Sequence, residues 1–296
     1  MININEYSLN EAREELMKLQ RKICAFSHAM EMIQYDGVTG APKGTAANRG
    51  ASLSVLSEEL YRLTTSEETV RLLETLDGQK EALSQKEQRM VYLLYKELRD
   101  MRKIPMEEYV AFQELLVEAD DVWHTAKNTS DFPLFRPYLE KIFATQKRFA
   151  EYIEPDKDPY EHCLSQYEEG LTVGTLDHFF DTLRAQIVPL LAEVTKKPSI
   201  DDSMRRSHYP IAAQEKLSHY LMERMGLDLG HVGLAVTEHP FTTSLGSHFD
   251  VRITTHYYEE DFISSMYSVI HEGGHALYDS GSADDLATRY LTAAPP

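Results

Sequence analysis

Apolar side chains recur at alternating steps of three and four along most of the chain, the pattern of helices that each bury one face. Over residues 8–35 the seam is Leu16, Leu19, Ile23, Phe26, Met30 and Ile33. Residues 36–50 carry Gly37, Gly40, Pro42 and Gly44 and predict a loop, with a second helix resuming near Ala46 and ending about Thr64. Further helices are predicted over 67–76, 85–103, 106–127, 132–153, 176–197 and 211–225. Met90, Leu93, Leu94, Leu98 and Met101 would face inward on the 85–103 helix, and Tyr109, Phe112, Leu116, Ala119 and Trp123 on the next. Trp123, the single tryptophan, reads as a core anchor. Pro155 and Pro159 mark a turn, Pro189 predicts a kink, and Gly226 closes the last helix of the series.

After Gly226 the pattern changes. Short β-favouring runs appear at 231–236, and residues 249–258 alternate strictly. Val251, Ile253, Thr255 and Tyr257 would face one side; Asp250, Arg252, Thr254 and His256 would face the other. The expected architecture is mainly α, with a small sheet placed immediately before a last helix. The chain divides into a helical body (1–225), a small β region (226–258), that helix (259–281) and a tail (282–296).

Composition narrows the function. With 48 acidic against 30 basic side chains the net charge is −18, which argues against nucleic-acid partners. No apolar run is long enough for a membrane span, and the first residues lack a signal-peptide pattern. Cys24 and Cys163 are in no metal-type spacing and read as thiols in a reducing compartment, so the cytoplasm is expected.

The last helix carries the chemistry. His271-Glu272-Gly273-Gly274-His275 is an H-E-x-x-H pattern with apolar flanks. Positions i and i+4 share a helix face, so His271 and His275 can present two imidazoles to one Zn²⁺. Glu272, one position on, is offset toward the attacking water and is the candidate general base. Gly273 and Gly274 would each cost about 1 kcal/mol in a solvated helix, which points to close packing or an approaching substrate. The metal face of the wheel is Ser264, Ser268, His271, His275 and Tyr278; Phe262, Val269, Gly273 and Ala276 face the core. Ser268 and Tyr278 are candidates for supporting the metal ligands or an oxyanion. The strand before the helix offers an edge for an extended peptide. Arg252 offers a fork for a peptide carboxylate, although spacing alone favours a structural Asp250–Arg252 pair.

Three ordered segments resemble signatures of the carboxypeptidase Taq family: His239-Pro240-Phe241, Asp250-Val251-Arg252-Ile253-Thr254-Thr255, and the H-E-x-x-H run. Tyr35-Asp36, Thr39 and Pro42 are similar to a further family segment, with Tyr in place of Trp. The resemblance implies a gluzincin cleft fold of long helices, similar to neurolysin and angiotensin-converting enzyme. It implies a homodimer that releases C-terminal residues from peptides, with Zn²⁺ as cofactor and Co²⁺ or Mn²⁺ as substitutes. By that likeness His271 and His275 are metal ligands, Glu272 is the base, and His239, Asp250 and Arg252 line the substrate cleft.

The sequence departs from the family in one respect. Family members take a third ligand from an H-E-S/G-Q motif some way beyond the metal helix, and no such motif lies between His275 and Pro296. The expectation is therefore an N-terminal portion of a longer catalytic domain, truncated and impaired. Asp279, Asp284 and Asp285 are the local candidates for a substitute ligand. The competing functions are an inactive helical scaffold and a thimet-type endopeptidase.

Overall fold

The structure, a computed structural model, describes residues 7–42 and 44–287. Helix α1 (Leu9–Thr39) opens with a capping box: the Ser8 hydroxyl accepts from the Glu11 N–H, and the Glu11 carboxylate accepts from the Ser8 N–H at 2.9 Å. It runs through Gly37 to Thr39, so the predicted loop is shorter and occupies only the residues before α2 (Ala46–Thr65). Helices α3 (Glu67–Gly78) and α4 (Gln85–Met101) follow, α4 again opened by a capping box between Ser84 and Glu87.

These elements close the largest core. Ala12, Leu16 and Leu19 of α1 meet Leu72, Leu73 and Leu76 of α3 and Met90, Val91, Leu94 and Leu98 of α4. Leu93, expected to face inward, is exposed, and Val91 takes its place. Both assignments satisfy the helical spacing; the position of α3 selects between them.

Helices α5 (Met106–Thr129) and α6 (Phe132–Ile153) pack as a pair around Phe112, Phe149, Ile104 and Ile153, with the Phe112 and Phe149 rings edge to face at 5.4 Å. Leu116 is exposed and Trp123 only half-buried, which corrects the reading of Trp123 as a core anchor. Its ring instead lies under Lys127 Nζ, 5.2 Å from the centroid. A short helix α7 (Pro159–Tyr167), capped by Asp158, occupies the stretch expected as a turn and connector. Helix α8 (Val173–Val194) follows, spans Pro189, and buries none of its residues.

Helix α9 (Ile211–Met225) ends at Gly226, whose φ of 82° is the left-handed C-cap that glycine adopts without a Cβ penalty. Three strands come next: β1 (Val232–Val236), β2 (Thr242–Ser244) and β3 (Val251–Thr255). The sheet order is β1-β3-β2, with β1 parallel and β2 antiparallel to β3. The most strongly patterned strand is therefore central, paired on both sides, and cannot offer a free edge to a peptide. β2, too short to show a pattern, forms an edge beside the last helix. Thr254, expected on the polar face, is fully buried because its hydroxyl accepts from the Phe241 N–H at 2.8 Å.

Helix α10 (Phe262–Ser280) lies across the sheet and α9. A short helical turn, Asp284–Ala287, ends the described residues; of the segment 282–296, residues 288–296 lie outside them. Among the described residues no helix is long and apolar enough to cross a membrane.

Candidate metal centre

α10 is fixed by one side and left open on the other. Val269 and Ala276 are fully buried against Val232, Val251, Ile253, Met222 and Leu227. Gly273 lies on this same face. A Cβ there would stand 2.7 Å from Met225 Cε and 2.9 Å from its Sδ, so the absence of a side chain lets α9 and α10 approach closely. Gly274 meets nothing within 4 Å and faces outward. The two adjacent glycines thus have different causes: one serves packing, and the other leaves the open face clear.

That open face carries His271 and His275, both exposed, with ring centroids 5.0 Å apart and planes at 78°. Tyr278 is exposed on the same side, and Ser264 and Ser268 are partly covered. Glu272 points inward and is only 7% exposed. The Thr242 hydroxyl lies 2.7 Å from Glu272 Oε2 and 3.0 Å from the Glu272 carbonyl oxygen, so one proton donor from β2 serves the acceptor groups of the central glutamate. A buried carboxylate needs such a donor. Sequence reasoning missed Thr242: it directly follows His239-Pro240-Phe241, but its partner is 30 residues away and nothing local announces the contact.

The Asp250–Arg252 pair is bidentate. Arg252 Nη2 donates to Asp250 Oδ2 at 2.9 Å, and Nε donates to Oδ1. This hydrogen bonding, ahead of any other cause, raises the Arg252 pKa above its ordinary value. The guanidinium carbon also sits 5.7 Å from the Tyr35 ring centroid. Burial pushes the Tyr35 phenol up, with Arg252 opposing. Tyr35 in turn packs edge-on against Phe241 at 6.3 Å. The long α1 therefore reaches from the N-terminal core to the sheet and holds the strand arginine from below.

Gly233, opposite Arg252 in the parallel register, has its Cα where a Cβ would lie 3.0 Å from Arg252 Cδ, so the arginine stem lies across bare backbone. His239 is exposed in the loop between β1 and β2. Lys127 of α5 braces that loop, donating to the Glu238 carbonyl oxygen at 2.6 Å.

The two imidazoles suit a divalent ion; a complete set does not assemble here. Catalytic zinc takes three protein ligands, and among the described residues no group of three or more His, Cys, Asp or Glu side chains converges. The substitutes expected from sequence are engaged elsewhere. Asp279 accepts from the Ser244 hydroxyl at 2.7 Å, and Asp284 lies 3.2 Å from His248 Nε2. The Asp285 side chain lies outside the described residues.

Comparison with known proteins gives this arrangement a family. The chain is 36% identical to "Carboxypeptidase 1" of Bacillus subtilis over 282 residues, 94% of this chain and 56% of the relative. It is 32% identical to "Thermostable carboxypeptidase 1" of Pyrococcus furiosus over 279 residues, 93% of this chain and 56% of that one. Among solved structures, the crystal structure of BsuCP superposes with a TM-score of 0.91 at 35% identity, covering 95% of this chain and 56% of the other. An M32 carboxypeptidase from Deinococcus radiodurans R1 superposes at 0.80 with 26% identity, covering 94% and 55%. The chain thus spans about half the length of the curated relatives it matches. The family match runs over residues 15–295 and includes most of the tail that the motifs alone set apart. The chain belongs to the carboxypeptidase Taq (M32) metallopeptidase family.

Proposed function

We propose that this chain carries the imidazole pair and the general base of a zinc-dependent metallocarboxypeptidase with the cleft of the long-helix gluzincins. The observation that carries the reading is the division of labour on α10. His271 and His275 share the exposed face while Glu272, between them in sequence, is buried and held by Thr242. When bound, a divalent ion supplies Lewis acidity toward the scissile carbonyl and the attacking water.

Glu272 accepts the proton released as water attacks and returns it to the departing amine. Thr242 limits which way the carboxylate turns. Arg252 keeps N–H groups beyond the two that Asp250 engages, and these receive the C-terminal carboxylate of the peptide. His239, exposed on a loop braced by Lys127, lines the same side. A homodimer in the cytoplasm, acting on peptides, completes the proposal.

Replacing Glu272 with Gln should abolish release of C-terminal residues from peptides and leave zinc stoichiometry unchanged. Residue release at the wild-type rate by that variant would remove Glu272 from the mechanism. One observation favours a second reading: without a third donor among the described residues, the chain would act as an inactive helical interaction protein. Stoichiometric zinc retained after dialysis, and lost in His271→Ala and His275→Ala, would reject that reading.

A further inference from the structure

A cavity of about 350 Å³ opens between α4, the end of α6 and α7, and no residue of the sheet or of α10 lines it. α4 and α7 do not pack extensively on each other, so side chains bridge the gap. Tyr92 and Arg89 of α4 reach Glu169, just past α7. Lys103 donates to the Ile153 carbonyl oxygen at the end of α6. His162 of α7, only 5% exposed, has Nδ1 2.7 Å from Glu154 Oε2. Lys96 and Arg99 from α4 and Ser165 and Gln166 from α7 line the remainder.

Hydrogen-bonding capacity in this cavity is lopsided. Its carboxylates are already engaged: Glu169 by Tyr92 and Arg89, Glu154 by His162 and Lys157, and Asp100 by Arg99. Its cations keep donors in hand. Lys96 makes no hydrogen bond among the described residues and meets Glu169 only through its charge. Arg99 uses Nε alone, 3.4 Å from Asp100 Oδ1, which leaves both Nη groups. On the facing wall Gln166 gives one amide N–H to His162 Nε2 at 3.3 Å and has a second to offer. A run of basic residues is ordinarily a solvated helix face. Here the charges converge on a cavity, in a chain whose net charge is −18.

We infer that this cavity binds a compact dianion with oxygen acceptors, a phosphate or a small dicarboxylate. Arg99 supplies the planar fork that matches such oxygens, Lys96 a point charge, and Gln166 a neutral donor from the opposite wall. The occupant links α7 to α4, which no extensive packing does. The site shares no residue with the metal centre and does not depend on the catalytic reading.

The test titrates inorganic phosphate and malonate separately into the 296-residue chain by calorimetry, with chloride at matched ionic strength as the control. The expected result is saturable 1:1 binding at about 1 mM or tighter, with a shift of the Gln166 side-chain amide resonances. The anion that binds more tightly identifies the source. Lys96→Ala and Arg99→Ala together should weaken binding at least about 10-fold, with the helical circular dichroism unchanged because neither side chain is buried. Gln166→Leu should weaken it by a smaller factor while both cations remain. Three outcomes would overturn the inference: chloride matches both anions, the double variant binds as tightly as the parent, or α4 resonances shift while those of Gln166 do not, the mark of an ion on the helix surface only.

Discussion

Helices α8 and α10 are near equals in length and apolar content and opposite in fate. α10 buries Val269 and Ala276 completely and brings its backbone against Met225 through Gly273. α8 buries none of its own residues, and no described element packs extensively on it. A helical apolar pattern specifies that a face seeks a partner; it does not specify that the partner lies within the same 296 residues. The part of α10 that depends on contacts inside the chain is packed, whereas among the described residues no third His, Cys, Asp or Glu side chain converges with His271 and His275.

The sharpest break of this comparison is a charge on each helix. Val269→Asp buries an unpaired carboxylate in the α9–sheet–α10 core and should lower stability by more than about 3 kcal/mol in chemical denaturation. Ile187→Asp on α8 should change the free chain by no more than about 0.5 kcal/mol. Equal losses would mean that α8 is as embedded as α10.

A finer probe concerns the tie between α10 and β2. Thr242→Val removes the donor that Glu272 uses within its buried setting and should cost about 1–3 kcal/mol, read from the same denaturation curves. Retained stability would show that the carboxylate finds another partner or turns to solvent.

Smaller still is the contrast between the two glycines. Gly274→Ala should stabilise the chain by up to about 1 kcal/mol, because a better helix former is added into open space. Gly273→Ala should forfeit that gain, since the methyl meets Met225 Cε at 2.7 Å. Thermal midpoints that rise equally in both variants would deny the close approach of α9 and α10.

The smallest effect lies where α6 gives way to α7. Glu154 is held below its ordinary pKa of 4.5, first by its hydrogen bond with His162 and then by Lys157. A depressed carboxyl contributes stability above its unfolded pKa and loses it as pH falls through the lower folded value. Acid unfolding of Glu154→Gln should therefore lack a contribution that the parent chain shows at neutral pH and loses below about pH 4.5. Parallel acid-unfolding profiles would remove that contribution.

Much of this was legible in the sequence for an identifiable reason. Helical spacing located α1 to α6 within a few residues, because each has a face committed to a core. The H-E-x-x-H spacing placed His271 and His275 on one face of α10 from local geometry alone, and the wheel separated Val269, Gly273 and Ala276 from them. The sequence did not disclose β2, which is three residues long, nor the central position of β3, because strand order depends on pairing between distant segments. Nor could it tell Leu93 from Val91 as the buried side of α4, or Trp123 as half-exposed, since both depend on where a neighbouring helix comes to rest.

What the sequence determined by itself is the local grammar: which residues are helical, which face is apolar, and which two imidazoles stand one turn apart. Only the tertiary structure decided that Thr242 holds Glu272, that Tyr35 lies under Arg252, that Asp279 and Asp284 are drawn to Ser244 and His248, and that α8 stands uncovered. Those outcomes rest on contacts between segments tens to hundreds of residues apart, whose register is set by packing and carries no local signature.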